Sequence, residues 1–279
     1  MRKPTVILPA ALLALAAAAG LKLRLDALPR AKTPGSGVVY VPTGPYVKAA
    51  SFGFSSFLAD VIYVWAIQYY SNPNIKDRFD HFRRVFGIIA ELEPRWIDPY
   101  EVAALIAQYD SGDPELALKM YDDGAARNPG QWIFPFNAGH YARLQLKDYD
   151  RAREYFKKAA EIPGAPELVK RLYADAAFKA MDYETSWAIW KEVHDTATDP
   201  QIKQIASNHL YQVKAAVDIA ALKSALARFR EIRGRPARTL DELAAAGLIR
   251  SVPLDYDEKE YVYDPQTGDV RTAVLPWKR

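Results

Sequence analysis

The side chains best suited to reactive chemistry are four histidines, His81, His140, His194 and His209, and an acidic run at Asp255, Asp257, Glu258 and Glu260. They would serve metal ligation or proton transfer, and their spacing favours neither. The histidines fall at no metal-ligand spacing and read as surface or packing residues. The acidic run lacks the glycine and the ligand order of a calcium loop, so a solvated loop is expected. The chain has no cysteine, which removes thiolate nucleophiles, thiolate metal ligands and disulfides. No GxSxG, HExxH, GxxxxGK[ST] or strand-to-helix GxGxxG occurs. With no base, nucleophile and orienting group to assemble, the expectation is a protein that is not an enzyme, with no cofactor and no metal.

What remains is binding, and that depends on the elements that present the side chains. The chain has 279 residues, half of them hydrophobic, and 37 Lys and Arg against 34 Asp and Glu, a net charge of +3 with no long run of one sign. A core is affordable and nucleic acid is not a natural partner. Arg2 and Lys3 precede an uncharged stretch, Thr5 to Leu21, followed by Lys22 and Arg24. Residues 1–24 therefore read as a membrane anchor or a signal peptide, with membrane contact through residues 5–21. The expected location is a bacterial inner membrane, single-pass, with the body in the periplasm; the alternative is secretion after signal cleavage. Residues 25–45 are rich in Pro and Gly and read as a linker with room for one strand at Val38 to Val41.

From Tyr46 onward helical windows are cut by Pro or Gly, and they repeat. Ala117, Tyr121 and Gly124 follow the turn SGD (Ser111 to Asp113) and are closed by Pro129. Ala152, Phe156 and Ala159 follow KDYD (Lys147 to Asp150) and are closed by Pro163. Ser186, Trp190 and Val193 follow MDYE (Met181 to Glu184) and are closed near Pro200. Phe82, Phe86 and Ile89, closed by Pro94, form an upstream copy, and Ala220, Ser224 and Ala227 a faint downstream one. The leading positions are 35, 35, 34 and 34 residues apart. A small residue at the first position lets two helices approach, and the aromatic four residues later lies on the same face and fills the gap to the next unit. One such unit cannot bury its own apolar face, so a stack is required.

These windows resemble tetratricopeptide repeats, over roughly Gly53 to Arg233. The departures are Leu105 and Ala174 where the family has glycine, Pro135 inside a first helix, and a loop from Ser71 to Asp77 that lengthens the first unit. The resemblance implies a mostly α fold, a right-handed α-α superhelix of helix pairs over residues 46–233. It also implies a concave groove lined by the first helix of each unit, which takes a peptide or helix of another protein. Carried over by register, the groove positions are Val102, Ile106 and Tyr109, then Phe136, His140 and Arg143, then Arg171, Asp175, Phe178 and Lys179. The aromatic helix Gly53 to Tyr70 carries Asp60, Gln68, Ser55 and Ser56, which argue against a second span; burial in the first unit or under a partner is expected, with Asp60 hydrogen-bonded.

Residues 234–279 read as a small α+β cap. Thr239 and Glu242 suggest a capping box opening TLDELAAAG, and KEYVYD and DVRTAVL, joined by PQTG, suggest a hairpin. This run is similar to the globular C-terminal part of type II secretion major pseudopilins, but the prepilin processing signal is missing from the N-terminus. The implied function is a non-enzymatic interaction scaffold facing the periplasm or exterior, organising a cell-envelope assembly such as secretion, pilus-like or surface-polymer machinery. The alternative is a permanent accessory subunit of a membrane enzyme or electron-transfer complex.

Overall fold

A computed structural model describes residues 7–26, 41–75 and 77–274; the strand expected at Val38 to Val41 lies, but for Val41, outside them. The helices are α1 (Ile7–Asp26), α2 (Gly44–Ala50), α3 (Ser55–Tyr70), α4 (Phe82–Leu92), α5 (Asp98–Ile106), α6 (Pro114–Arg127), α7 (Ile133–Tyr141), α8 (Tyr149–Glu161), α9 (Glu167–Lys179), α10 (Tyr183–Thr196), α11 (Pro200–Arg233) and α12 (Asp241–Ala245). A hairpin of β1 (Val262–Asp264) and β2 (Asp269–Arg271) follows, pairing antiparallel with Tyr263 opposite Val270. The fold is thus mostly helical with one small antiparallel sheet. Helices pack as pairs, α3 with α4, α5 with α6, α7 with α8 and α9 with α10, and each pair meets the next element in sequence.

The sequence ladder is the seam of this packing. Its twelve residues in the four clear copies, from Phe82 to Val193, are all buried. The small members work as spacing demands: a Cβ on Gly124 would sit 2.6 Å from the Phe134 ring, and the buried Ser186 hydroxyl donates to the Ala174 carbonyl at 2.9 Å. The faint downstream copy is different. Ala220, Ser224 and Ala227 are exposed, and they lie on α11, one continuous helix of 34 residues. No Gly or Pro interrupts that stretch after Pro200, so nothing folds it into a pair.

The turns inside the last three pairs share one device. Helices α5 and α7 each end in a five-residue π turn, Ala107–Ser111 and Ala142–Leu146. A residue in the left-handed region then reverses the chain at Gly112 (φ 68°), Lys147 (φ 56°) and, after α9, Met181 (φ 61°). The next residue is an aspartate that caps the second helix: Asp113 accepts from the amides of Glu115 and Leu116, Asp148 from that of Arg151, and Asp182 from that of Thr185. Each carboxylate satisfies amides that the first helical turn leaves unpaired. Pro135 breaks nothing, because it occupies the first turn of α7, where its missing N–H has no role.

The last module rests on the second half of α11. Leu222, Ala225 and Phe229 pack with Leu240, Leu243, Tyr261 and Val270, and the Tyr261 hydroxyl donates to Asp218 at 2.7 Å. Glu242 accepts from the Arg238 amide and pairs with Arg235, while the residue before α12 makes no side-chain cap. The expected capping box of Thr239 and Glu242 is therefore not the arrangement found: Glu242 reaches back one residue further, to the Arg238 amide.

Two expectations need correction. Among the described residues no helix is long and apolar enough to cross a membrane, which overturns the single-pass inner-membrane location. The uncharged stretch spans only about 25 Å as a helix, against a hydrocarbon core of about 30 Å, and Lys22 and Arg24 interrupt the end of α1. Nor is α3 wholly buried. Ala59, Ala66 and Tyr70 face the core, while Phe57, Val61, Val64 and Trp65, and Phe54 just before the helix, are exposed. Asp60 lies on that outer side and, among the described residues, has no hydrogen-bond partner.

Candidate functional site

The groove positions are carried by α5, α7, α9 and the π turns that end the first two. Val102 is half-buried and Ile106 buried, both in the core shared by the first pairs. Tyr109, on the π turn after α5, is 72% exposed. One unit on, Phe136 and His140 meet edge to face at 4.6 Å, and His140 also abuts the buried Phe156 ring at 5.4 Å. Burial, with Arg143 nearby, lowers the His140 pKa. Phe178 packs 5.6 Å from Tyr183 at the head of α10. Arg171 stands apart and lines a cleft with Glu167, Val193 and Thr196.

Polar bridges knit the first helices together. Asn137 on α7 donates to Glu101 on α5 at 2.8 Å. Arg143 directs both Nε and Nη2 to Asp175 Oδ2 on α9, at 3.0 and 2.7 Å, and Lys179 approaches the same carboxylate at 4.0 Å. Burial foremost, then Asp98, raises the Glu101 pKa, and the Asn137 bond opposes that. Several expected groove residues are therefore spent inside the stack, by packing (Val102, Ile106, Phe136) or by pairing (Arg143, Asp175).

The outward side of this face is carried by a different set. Tyr109, Leu144 and Lys179 stand 35 residues apart, and all three are exposed. Leu105 and Met181 add apolar surface, at 45% and 75% exposure. Leu144 escaped the register reading, although its distance from Tyr109 equals the repeat and could have found it.

The reactive candidates have structural uses. Asp255 is buried, accepts from the amides of Asp257 and Lys259, and receives the Tyr211 hydroxyl at 3.1 Å, so it shapes its own turn. His209 stacks on Trp190 with ring centroids 4.1 Å apart. Among the described residues no group of three or more His, Asp or Glu side chains is placed to hold a metal ion. No family model matches the chain, and a search of curated proteins finds no similar sequence.

Proposed function

We propose that this chain is a non-enzymatic interaction scaffold of tetratricopeptide type, its helix pairs winding into a right-handed superhelix whose first helices hold a peptide or helix of another protein. The observation that carries this reading is the row of Tyr109 and Leu144, the same exposed place in two successive units, continued by exposed Lys179 one position past the corresponding place in the third. Such a row offers apolar anchors followed by a cation at regular intervals, which suits an extended or helical segment with apolar residues and an acidic group. The Arg143–Asp175 and Glu101–Asn137 bridges hold the face in shape and reduce the ordering that binding would require.

The test is capture by the immobilised chain from a lysate of its own organism, compared with a Tyr109→Ala, Leu144→Ala, Lys179→Ala variant. Proteins held by the unaltered chain and lost from the folded variant support the groove; equal capture by both removes it. A second reading, a permanent subunit of a larger complex, is favoured by the exposed apolar side of α3 (Phe57, Val61, Val64 and Trp65, with Phe54 just before the helix), since patches of this kind mark contact surfaces. The two readings part on solution mass: a scaffold is a monodisperse monomer, whereas a permanent subunit aggregates when isolated.

A further inference from the structure

Two ties run from α6 back to α4. Arg83 lies 3.5 Å from Asp123, and Arg127 donates to the Ala90 carbonyl at 3.2 Å and lies 3.7 Å from Glu91. Between these ties α4, α5 and α6 enclose an open cavity of about 400 Å³, within the range of small-molecule sites. Its floor is apolar: Phe86, Tyr100 and Met120, none more than 5% exposed. Its rim is cationic, with Arg83, Arg84 and Arg127 against Asp123. Arg84 has no hydrogen-bond or ion-pair partner among the described residues.

The cavity opens at Gly87. A Cβ there would meet nothing within 4 Å, whereas at Gly124 and Gly139 it would strike the Phe134 and Phe156 rings at 2.6 and 2.8 Å. Close packing thus accounts for those two glycines but not for Gly87. Five residues past the leading ladder position, the other clear copies carry Asp122, Lys157 and Lys191 where this one has Gly87. Mid-helix glycine weakens a helix, and its visible consequence here is the open space beside Arg84.

We propose that this cavity binds a small amphiphilic carboxylate, its apolar body on Phe86, Tyr100 and Met120 and its anionic head on Arg84. The charge count selects a monoanion. Asp123 and Glu91 already answer Arg83 and Arg127, leaving one guanidinium, whose fork matches a carboxylate. A phosphate dianion would bring a second charge with no partner over an apolar floor. The acid is either a free small molecule or the C-terminal residue of a peptide.

Calorimetric titration of the full chain with octanoate, and separately with the peptide acetyl-Ala-Ala-Phe, each beside its amide, tests this. The expected result is saturable binding of at least one acid at one site per chain, at least tenfold tighter than its amide. Arg84→Gln should weaken it at least tenfold, and Gly87→Leu should abolish it. Gly87→Leu should also melt at a higher temperature, because leucine is the better helix former and its side chain enters empty space, so lost binding there is not unfolding. Tighter octanoate assigns a free acid and tighter peptide a chain terminus. The proposal is overturned if neither acid binds, if the amides bind as well, or if Gly87→Leu binds like the unaltered chain.

Discussion

His209 shows how a residue with chemical potential becomes part of the packing. Its ring lies flat on buried Trp190, tilted by only 8°, and burial lowers its pKa despite Asp175 and a hydrogen bond to Gln212, which act the other way. His140 is shifted in the same direction, by burial and then Arg143. Because the folded chain holds His209 less readily in its protonated form, its contribution to stability is complete above the unfolded pKa of about 6.5 and is lost as pH falls from there towards the folded value. The chain should therefore melt at a lower temperature at pH 5.5 than at pH 7.5. A His209→Phe variant, which keeps the stacked ring and removes the titration, should show a shallower fall; an unchanged slope in calorimetric melts would place the acid sensitivity elsewhere, with His140 next in line.

At the scale of the element, the turn from first to second helix is the repeated part that ties sequence to shape. Asp148 illustrates it: one oxygen caps the Arg151 amide at 3.0 Å, the other takes the Arg151 Nε at 2.6 Å, and Arg151 reaches Glu115 in the preceding unit at 2.7 Å. Asp148→Ala should cost about 1 kcal/mol, the usual worth of such a cap, and Asp148→Asn should restore most of it, as read from urea midpoints at constant slope. The turns at Ser111, Lys147 and Met181 were legible in the sequence because glycine and aspartate announce them, and the ladder because small and aromatic residues recur at a fixed interval. The π turns were not legible, since Ala107–Ser111 and Ala142–Leu146 carry ordinary helix formers and differ only in hydrogen-bond register. For the same reason the contacts of the expected groove residues were not legible. Register places a residue on a helix, but it does not say that Arg143 will turn to Asp175 or that Phe136 will lean on His140. The cavity at Gly87 needed the neighbours of that glycine in space, which a pattern of spacings does not contain.

In the whole molecule, contacts are mostly between elements adjacent in sequence, and the buried residues fall into successive clusters. One runs from Val41 to Tyr141, a second joins Ala142, Ala152, Phe156 and Ala176, a third joins Ala174, Trp190 and Leu210, and the last joins Leu222 to Val270. A chain built this way has a stability close to a sum of local terms and nearest-neighbour terms, so damage to one unit spreads by contact rather than everywhere at once. Phe156 is the place to test it. Its ring is fully buried, lies against Gly139 and meets Phe136 and His140, so Phe156→Ala should remove about 3–5 kcal/mol from its own site. Amide exchange should then quicken in α7 and α8 and, to a smaller extent, in α9. The module around Leu243, Tyr261 and Val270 should keep its protection, because it rests on the second half of α11 and shares no core cluster with Phe156. Equal acceleration in α8 and in the hairpin would mean instead that α11, 34 residues long, transmits the loss from end to end and that the chain unfolds as one body.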